Sequence, residues 1–335
     1  MIISIVFCHF ILTSCKKEDK TKHLSENIYV AGFESNGVKY LSHYWKNGVG
    51  ININCDDLSI IRSIAVENQD VYLGGEIYNG STRVAAYWKN GTSFILGDGT
   101  SDAYVTSISI VNNDIYVAGT EVNGTKYKAV YWKNGIAKYL GNSSQNFAAS
   151  KIILNEKDIY VIGAEIIGAD HRAVYWKNDS LIYLTDGTDD AVAEAIYVSG
   201  NDIYICGYEM NGTKSIAKYW KNGVPIDLSD GSKNEKAVGI TVVNGDIYVA
   251  GMTLDYTPTY TIAKYWKNGV AFNLNDGSLS AHTVSMKSHN SDVYIVGYEW
   301  IDHVNRVAKY WKNGIEVKLN DGTNDAIALD IVITD

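Results

Sequence analysis

The feature that most constrains the fold is a tetrapeptide, Tyr-Trp-Lys-Asn, that the 335-residue sequence contains seven times. The tryptophans of successive copies are 43 to 46 residues apart. A second marker, Ile/Val-Tyr-hydrophobic-x-Gly, recurs in the same register. A fixed period of this length is typical of repeat folds such as solenoids and propellers, in which each repeat is one supersecondary unit. The tetrapeptide ends at Asn47, Asn90, Asn134, Asn178, Asn222, Asn268 and Asn313, and the second marker begins at Ile28, Val71, Ile115, Ile159, Ile203, Ile247 and Val293.

The third copy divides into four short strands, which we call A to D. They are predicted over residues 103–111, 115–122, 125–133 and 136–140. An Asn-Gly pair stands between B and C and again between C and D, and this dipeptide favours the type I′ turn of a β-hairpin. With Asn123 and Gly124 in the turn, Glu121 is predicted to lie opposite Lys126. The four strands are therefore predicted to form an antiparallel sheet.

Strands B and C carry apolar side chains on both faces of this sheet. Tyr116 and Tyr131 are predicted to share one face. Val117 and Trp132 are predicted to share the other. A sheet buried on both faces must pack between copies of itself, as propeller blades do, whereas a parallel β-solenoid would lack the Asn-Gly hairpins.

The order of strands along the chain predicts how the ring closes. The first copy begins at strand B, and an extra strand A over residues 326–334 has no strand B after it. That strand can complete the first blade and so remove the exposed sheet edges. The sequence predicts an all-β, monomeric fold over residues 27–335: a seven-bladed β-propeller of four-stranded antiparallel blades, closed by the C-terminal strand. A composition of 25 Tyr, 8 Trp and only 2 Pro agrees with this fold class.

Charge and cysteine content exclude several classes of function. The net charge is −9, with no cluster of Lys and Arg that could follow a phosphate backbone, so nucleic acid is not an expected partner. The four cysteines, Cys8, Cys15, Cys55 and Cys206, do not recur with the repeat. We therefore expect no disulfide framework, and we expect Cys206 to be a buried thiol that acts as a small hydrophobe.

The N-terminus has the features of an export signal. Residues 1–14 are almost wholly apolar and too short to cross a bilayer as a helix. They lead into Leu12-Thr13-Ser14-Cys15, which resembles the lipobox of bacterial lipoproteins, and the resemblance implies that Cys15 carries the lipid. Residues 1–15 are thus predicted to be a lipoprotein signal and residues 16–26 a charged tether. We expect an outer-membrane lipoprotein, surface-exposed or facing the periplasm, attached through its lipid alone.

The repeat resembles a known class of extracellular propeller repeats. Its elements are an Ala-x-Tyr-Trp-Lys-Asn-Gly hairpin, a Leu-Asp-Gly-Thr link and an Ala-rich strand A. This arrangement is similar to that of repeats with a His-Ala-Phe-Leu-Trp signature (HAF-type), although Tyr stands here in place of Phe-Leu. The resemblance covers residues 27–335 and implies an extracellular propeller. It implies no particular activity, because these repeats share none.

Motifs for catalysis or cofactor binding do not stand out from the repeat. The Asp-Gly links between blades allow two readings. Their carboxylates could hold Ca²⁺, or they could form turns without an ion, which we favour. We therefore expect no cofactor. These links begin at Asp98, Asp186, Asp230, Asp276 and Asp321.

A ligand site is expected where the copies differ, because packing accounts for what recurs. The B–C loops and the D–A links are predicted to share one rim, and the B–C loops of blades 6 and 7 are longer than the others. They contain Tyr256, Tyr260, Trp300 and His303, and Trp300 is the one tryptophan outside the repeat. An exposed aromatic ring beside polar groups suits a sugar or a peptide side chain. Incidental packing of the loops is the alternative.

Strand A is predicted to line a central channel. The middle of this strand differs from copy to copy, with Arg62, Thr106, Lys151, Glu194, Ser285 and Asp330 at its centre. Such a mixture of charges suits a small polar ligand, and it equally suits a water-filled pore.

The sequence favours a non-catalytic, membrane-anchored binding module. Its partner is expected to be a glycan or a protein at the rim of blades 6, 7 and 1. Two alternatives remain open at this point: a structural component of an outer-membrane assembly, and a propeller lyase or glycosidase.

Overall fold

A computed structural model describes residues 26–53, 59–254, 260–302 and 304–335. These residues form seven four-stranded antiparallel sheets, which are the blades of a seven-bladed β-propeller. The predicted fold class is confirmed. Blade 1 consists of β28, β1, β2 and β3, and each of blades 2 to 7 consists of four consecutive strands in the order A, B, C, D.

Strands A are innermost and strands D outermost. The A strands are β28 (Ala326–Thr334), β4 (Ser59–Glu67), β8 (Asp102–Val111), β12 (Asn146–Asn155), β16 (Ala191–Ser199), β20 (Glu235–Val243) and β24 (Ala281–His289). The B strands are β1 (Asn27–Ser35), β5 (Asp70–Tyr78), β9 (Asp114–Asn123), β13 (Asp158–Ile167), β17 (Asp202–Met210), β21 (Asp246–Thr253) and β25 (Asp292–Trp300). The C strands are β2 (Tyr40–Lys46), β6 (Arg83–Lys89), β10 (Lys126–Lys133), β14 (Asp170–Lys177), β18 (Ser215–Lys221), β22 (Ile262–Lys267) and β26 (Arg306–Lys312). The D strands are β3 (Val49–Asn52), β7 (Thr92–Ile95), β11 (Ile136–Tyr139), β15 (Ser180–Tyr183), β19 (Val224–Asp227), β23 (Val270–Asn273) and β27 (Ile315–Lys318).

The ring closes as the strand order predicts. The C-terminal strand β28 pairs antiparallel with β1, from Asn27 opposite Thr334 to Glu34 opposite Ala326. It also packs beside β24 on one side and β4 on the other, so it occupies the inner position of blade 1. The closure is non-covalent and covers the edge of β1 that would otherwise be exposed.

The recurring Lys-Asn pair fastens the C–D turn to the start of strand B. In blade 3, Asn134 adopts a φ of 50°, and its Oδ1 accepts a hydrogen bond of 2.8 Å from the backbone N of Ile115. The Asn134 amide group donates to Asp114 at 2.8 Å. Lys133 forms an ion pair of 2.9 Å with the same Asp114 and lies over the Tyr116 ring. These repeated polar residues therefore have a structural role.

The predicted B–C register is wrong by two residues. Glu121 lies opposite Lys128 instead of Lys126, and Asn123 pairs with Lys126, so Gly124 and Thr125 form the tip of the hairpin. A shift of two residues leaves every side chain on the same face, because the side-chain period of a strand is two. The predicted faces are therefore correct although the register is not.

The repeated tryptophans form the core between blades, as predicted. Trp132 is fully buried and packs with Val117 and Val130 of its own blade against Tyr72 of blade 2. The opposite face of blade 3 presents Tyr116 to Trp176 of blade 4. Every interface between blades repeats this arrangement. The seven tryptophans, each at most 2% exposed, are Trp45, Trp88, Trp132, Trp176, Trp220, Trp266 and Trp311.

Every strand A contains a β-bulge opposite a glycine of strand B. In blade 4 the pairing with β13 steps from Ala149 to Lys151 and leaves Ser150 unpaired. The opposing Gly163 has no room for a side chain, because a Cβ there would lie 1.9 Å from the carbonyl oxygen of Ala148. The glycine of the Ile-Tyr-x-x-Gly marker therefore permits the bulge. The same close approach occurs at Gly32, Gly75, Gly119, Gly207, Gly251 and Gly297.

Gly163→Ala should destabilise the protein by on the order of 3 kcal/mol, because the added methyl group must displace the bulged strand. Gly50→Ala is the matched control. A Cβ at Gly50 would be 3.8 Å from Trp45, so that variant should be neutral or slightly more stable. Urea unfolding measures both. Equal stabilities of the two variants would contradict the role of the glycine.

Blade 1 has a buried histidine where blades 3 and 4 have valine. His43 is 3% exposed and packs edge-on against Trp45, with ring centres 4.2 Å apart. Burial lowers the pKa of His43 to about 4. Its Nε2 is 3.8 Å from Glu34, whose own pKa is raised by burial. The folded protein therefore holds His43 in its neutral form.

His43→Val should make the protein less sensitive to acid. The unfolded state protonates His43 near pH 6.5 and the folded state only near pH 4, so the unfolded state binds more protons between these values. The wild-type protein should lose about 3 kcal/mol of stability relative to His43→Val as the pH falls from 7 to 4. Urea unfolding at several pH values measures the difference. A difference in stability between the two proteins that does not change with pH would show that His43 has the same pKa in the folded and unfolded states.

Candidate functional site

The seven bulges build a ring of side chains around the central channel. Each bulge adds one unpaired residue to strand A, and these seven residues, which we call the channel ring, line one cavity of about 480 Å³. They are Arg62, Thr106, Ser150, Glu194, Val238, Val284 and Leu329. His282 and Tyr298 also line the cavity, so it lies at the B–C end of the channel. We call it the channel cavity.

The structure brings the predicted channel residues together. Arg62, Lys151, Glu194 and Asp330 line the same cavity, as do Thr106 and Ser285. The sequence did not reveal that three of the seven ring members are apolar. Blades 2 to 5 contribute the polar members of the ring, and blades 6, 7 and 1 contribute Val238, Val284 and Leu329. The β-bulge places these three residues in the ring, and the sequence analysis did not predict the bulge.

Asp330 forms the floor of the channel cavity. Its carboxylate accepts hydrogen bonds from Ser63 at 2.7 Å and from Ser285 at 2.9 Å, and it lies 3.6 Å from the ammonium group of Lys151. Burial alone would raise the pKa of Asp330, but Lys151, Lys287 and the two hydroxyls hold it below the usual range. One carboxylate of the closing strand thus links blades 1, 2, 4 and 7.

Arg62 is also paired within the protein. Its guanidinium donates to both carboxylate oxygens of Glu76, with distances from 2.6 to 3.2 Å. Glu76 is 1% exposed, so this pairing neutralises a carboxylate that would otherwise be buried without a partner. Thr106 uses its hydroxyl to bind the backbone carbonyls of Ala118 and Ala149. These two polar members of the ring therefore support the structure of the channel wall.

Trp300 and Tyr260 share one pocket on the B–C rim. The pocket has a volume of about 320 Å³ and also contains Asp302 and His282. Trp300 was predicted to lie in a loop, but it is the last residue of β25, half-buried, and pairs with Arg306. Tyr256 and His303 lie outside the described residues, as do Cys15 and the tether before residue 26.

A larger groove on the same rim was not predicted. It has a volume of about 640 Å³, and its wall includes Phe33, Tyr40, Tyr78 and Arg83 of blades 1 and 2. Arg306 of blade 7 completes it. The signal was present in the sequence, because the first residue of strand C is Tyr40, Arg83 or Arg306 in these three blades and Ser215 in blade 5.

Arg306 joins the groove to the Trp300 pocket. Its guanidinium lies 5.2 Å from the centre of the Trp300 ring and also binds the carboxylate of Asp325. The hydroxyl of Tyr40 donates to the same carboxylate at 2.8 Å. The result is a continuous line of aromatic rings and arginines along the rim of blades 6, 7, 1 and 2, which we call the rim strip. It consists of Tyr260, Trp300, Arg306, Tyr40, Phe33, Tyr78 and Arg83.

The Asp-Gly links are held by hydrogen bonds of their own. Asp98 accepts from the backbone N of Thr100 at 2.9 Å and from its hydroxyl at 2.7 Å. These two bonds lower the pKa of Asp98. Asp186 and Asp230 make the same pair of bonds to the residue two positions later. Within the described ranges, no group of three or more His, Cys, Asp or Glu residues is placed to hold a metal ion.

Comparison with known proteins identifies a fold and no family. No family model and no curated protein matches the chain. Among solved structures, the chain is similar to prolyl oligopeptidase B from Galerina marginata bound to a 25mer macrocyclization substrate (TM-score 0.54, 10% identity, 89% of this chain and 51% of that chain). It is also similar to a structure from a study of two prolyl endopeptidases and their inter-domain dynamics (TM-score 0.52, 9% identity, 89% of this chain and 47% of that chain).

A nidogen/laminin complex has a TM-score of 0.48 at 9% identity, and the match covers 92% of this chain and 98% of that chain. The chain spans about half the length of the two peptidase structures. At these identities the similarity is one of fold alone. A search of the described residues for a helix long and apolar enough to cross a membrane finds none.

Proposed function

We propose that this protein is a non-catalytic, membrane-anchored binding module that presents its B–C rim to a glycan or a protein partner. The observation that carries the proposal is the rim strip. Its central ring, Tyr40, is 53% exposed, and Tyr78 and Tyr260 are 42% and 39% exposed. Three partly exposed rings beside fixed arginines form a surface on which a partner can stack and form hydrogen bonds.

A glycan suits the chemistry of the rim strip best. Aromatic faces pack against the apolar faces of sugar rings, and arginines donate hydrogen bonds to hydroxyl or carboxylate oxygens. Arg83 and Arg306 are held in position before any ligand binds, because Arg83 donates to the Tyr104 hydroxyl at 2.9 Å and Arg306 is fixed by Asp325. Groups that are ordered in advance lose less conformational entropy on binding.

The carboxylates of the rim support a binding role over a catalytic one. A glycosidase needs two carboxyl groups that are free to transfer a proton and to attack or activate water. Asp102 accepts a hydrogen bond of 2.8 Å from the backbone N of Arg83. Asp325 accepts from Arg306 and Tyr40, and these bonds keep its pKa low although burial would raise it. Both carboxylates therefore act as structural acceptors.

The position of Glu26 is consistent with a membrane anchor on the opposite side of the propeller. The carboxylate of Glu26 accepts from the Tyr294 hydroxyl at 2.6 Å and from Lys312 at 2.9 Å. Lys312 belongs to the Lys-Asn pair that precedes the C–D turn, so the chain enters the propeller at the rim of the A–B and C–D turns. A lipid on Cys15, which precedes this point in the chain, would be compatible with a B–C rim that faces away from the membrane.

A glycan array probed with the purified protein should give hits that depend on the rim strip. Trp300→Ala should weaken binding by about 2 kcal/mol or more with a small change in melting temperature. Trp132→Ala should instead create a core cavity and destabilise the fold by roughly 3–5 kcal/mol. Ile136→Ala is the control, since Ile136 is 76% exposed on the outer strand β11 and should affect neither property.

Two results would contradict the proposal. One is an array without hits combined with no protein partner retained by the immobilised wild-type chain. The other is a loss of stability for Trp300→Ala as large as that for Trp132→Ala, which would make Trp300 a core residue.

Cys15→Ala should release the protein from the membrane fraction. Acyl chains contribute about 0.8 kcal/mol per buried CH₂ group to membrane partitioning, and the variant would lack them. Cell fractionation measures the release, and mass spectrometry of the N-terminal peptide measures the lipid. Membrane retention equal to that of the wild-type protein, or an N-terminal peptide without lipid, would contradict anchoring at Cys15.

A further inference from the structure

The channel cavity contains one carboxylate that nothing in the described structure neutralises. Of the charged residues that line it, Arg62 is paired with Glu76 and Lys151 with Asp330. Glu194 makes no hydrogen bond or ion pair with any described residue. The positive charge of Lys236 favours the ionised form of Glu194, but Lys236 itself lies over the Tyr208 ring.

Burial of Glu194 is energetically unfavourable unless a cation accompanies it. Glu194 is partly buried in the cavity wall. A carboxylate that is partly removed from water without a partner is destabilised, and it responds by holding its proton more tightly. Burial does raise the pKa of Glu194, and Lys236 only partly opposes this. Glu194 also faces the cavity, so a ligand can reach it.

The wall beside Glu194 is apolar. Going around the channel ring from blade 5, the next three members are Val238, Val284 and Leu329. Met252 lines the cavity on the same side. Across the cavity Arg62 pairs with Glu76, and Asp330 interacts with both Lys151 and Lys287. The cavity therefore has, at one end of an apolar arc, a carboxyl group whose ionised form a bound cation would stabilise, and its volume is in the range of small-molecule sites.

We propose that the channel cavity binds a small organic cation, a primary alkylammonium whose ammonium group pairs with Glu194 and whose aliphatic chain packs along Val238, Val284 and Leu329. The net charge of −9 favours the approach of such a ligand. His282 lines both the channel cavity and the Trp300 pocket, but none of the four residues proposed to contact this ligand belongs to the rim strip, and the inference does not depend on the proposed glycan binding.

Two other ligand classes fit the cavity less well. A metal ion would need several acidic or imidazole ligands, and no such group of three occurs among the described residues. An anion would be repelled by Glu194. The two positive groups of the wall, Arg62 and Lys151, already have carboxylate partners and so offer an anion little net charge.

Calorimetric titration of the full-length protein in detergent with n-butylammonium chloride tests the proposal. We expect saturable binding, with affinity rising up to about fourfold for each methylene added from ethylammonium to butylammonium. Butyrate and n-butanol should bind at least tenfold more weakly. Glu194→Gln, which keeps the size and removes the charge, should reduce the affinity for butylammonium at least tenfold. Val284→Ser should reduce the dependence on chain length.

Controls separate this site from other effects. Glu156→Gln removes an exposed carboxylate from a distant turn and should leave the affinity unchanged. Trp300→Ala should also leave it unchanged, so a failure of the rim proposal would not affect this result. Thermal unfolding of each variant checks that it folds. The proposal is overturned if the wild-type protein shows no saturable binding below about 10 mM, or if folded Glu194→Gln binds butylammonium as tightly as the wild-type protein.

Discussion

The architecture depends on the close approach of strand A to a glycine of strand B in every blade. A Cβ on that glycine would lie only 1.9 to 2.1 Å from a carbonyl oxygen of strand A. The approach allows one residue of strand A to leave the ladder and point into the channel. Because this happens seven times, the chain obtains a complete ring of variable side chains without changing its core. The variable channel residues and the core residues are therefore different residues of the same strand.

The fold was predictable because its signals are periodic. Seven copies of one tetrapeptide and the alternation around Trp132 were enough to establish blades, faces and ring closure. The register of the B–C hairpin was not predictable by the same argument. A slip of two residues moves Glu121 from Lys126 to Lys128 and changes no face, so hydrophobic alternation cannot distinguish the two pairings. The two pairings differ in the turn: the tip consists of Gly124 and Thr125, with Gly124 at a φ of 62°, instead of Asn123 and Gly124.

The candidate sites were predictable only where the sequence departs from its own repeat. Arg62, Lys151, Glu194 and Asp330 were identified as channel residues because they differ between copies, and they do line one cavity. The ion pairs of Arg62 with Glu76 and of Lys151 with Asp330 could not be predicted from the sequence. Glu76 lies on another strand, and Asp330 lies on the last strand of the chain. Val238, Val284 and Leu329 were not predicted as channel residues, because an apolar residue in a strand is expected to belong to the hydrophobic core. Phe33 and Tyr78 were not predicted, because they lie near strand ends in blades whose B–C loops are not lengthened.

The pairing of β1 with β28 has a consequence for the order of folding. The strands of each of the other six blades lie within one repeat, whereas Asn27 and Thr334 are joined across almost the whole described chain. Closing so long a loop costs about 2 kcal/mol more in entropy than closing a 20-residue hairpin. The blades can form early from local contacts, but β1 and β28 can pair only after all of the blades are aligned. Since β28 contributes Leu329 and Asp330 to the wall of the channel cavity, that cavity is complete only once β28 has paired with β1.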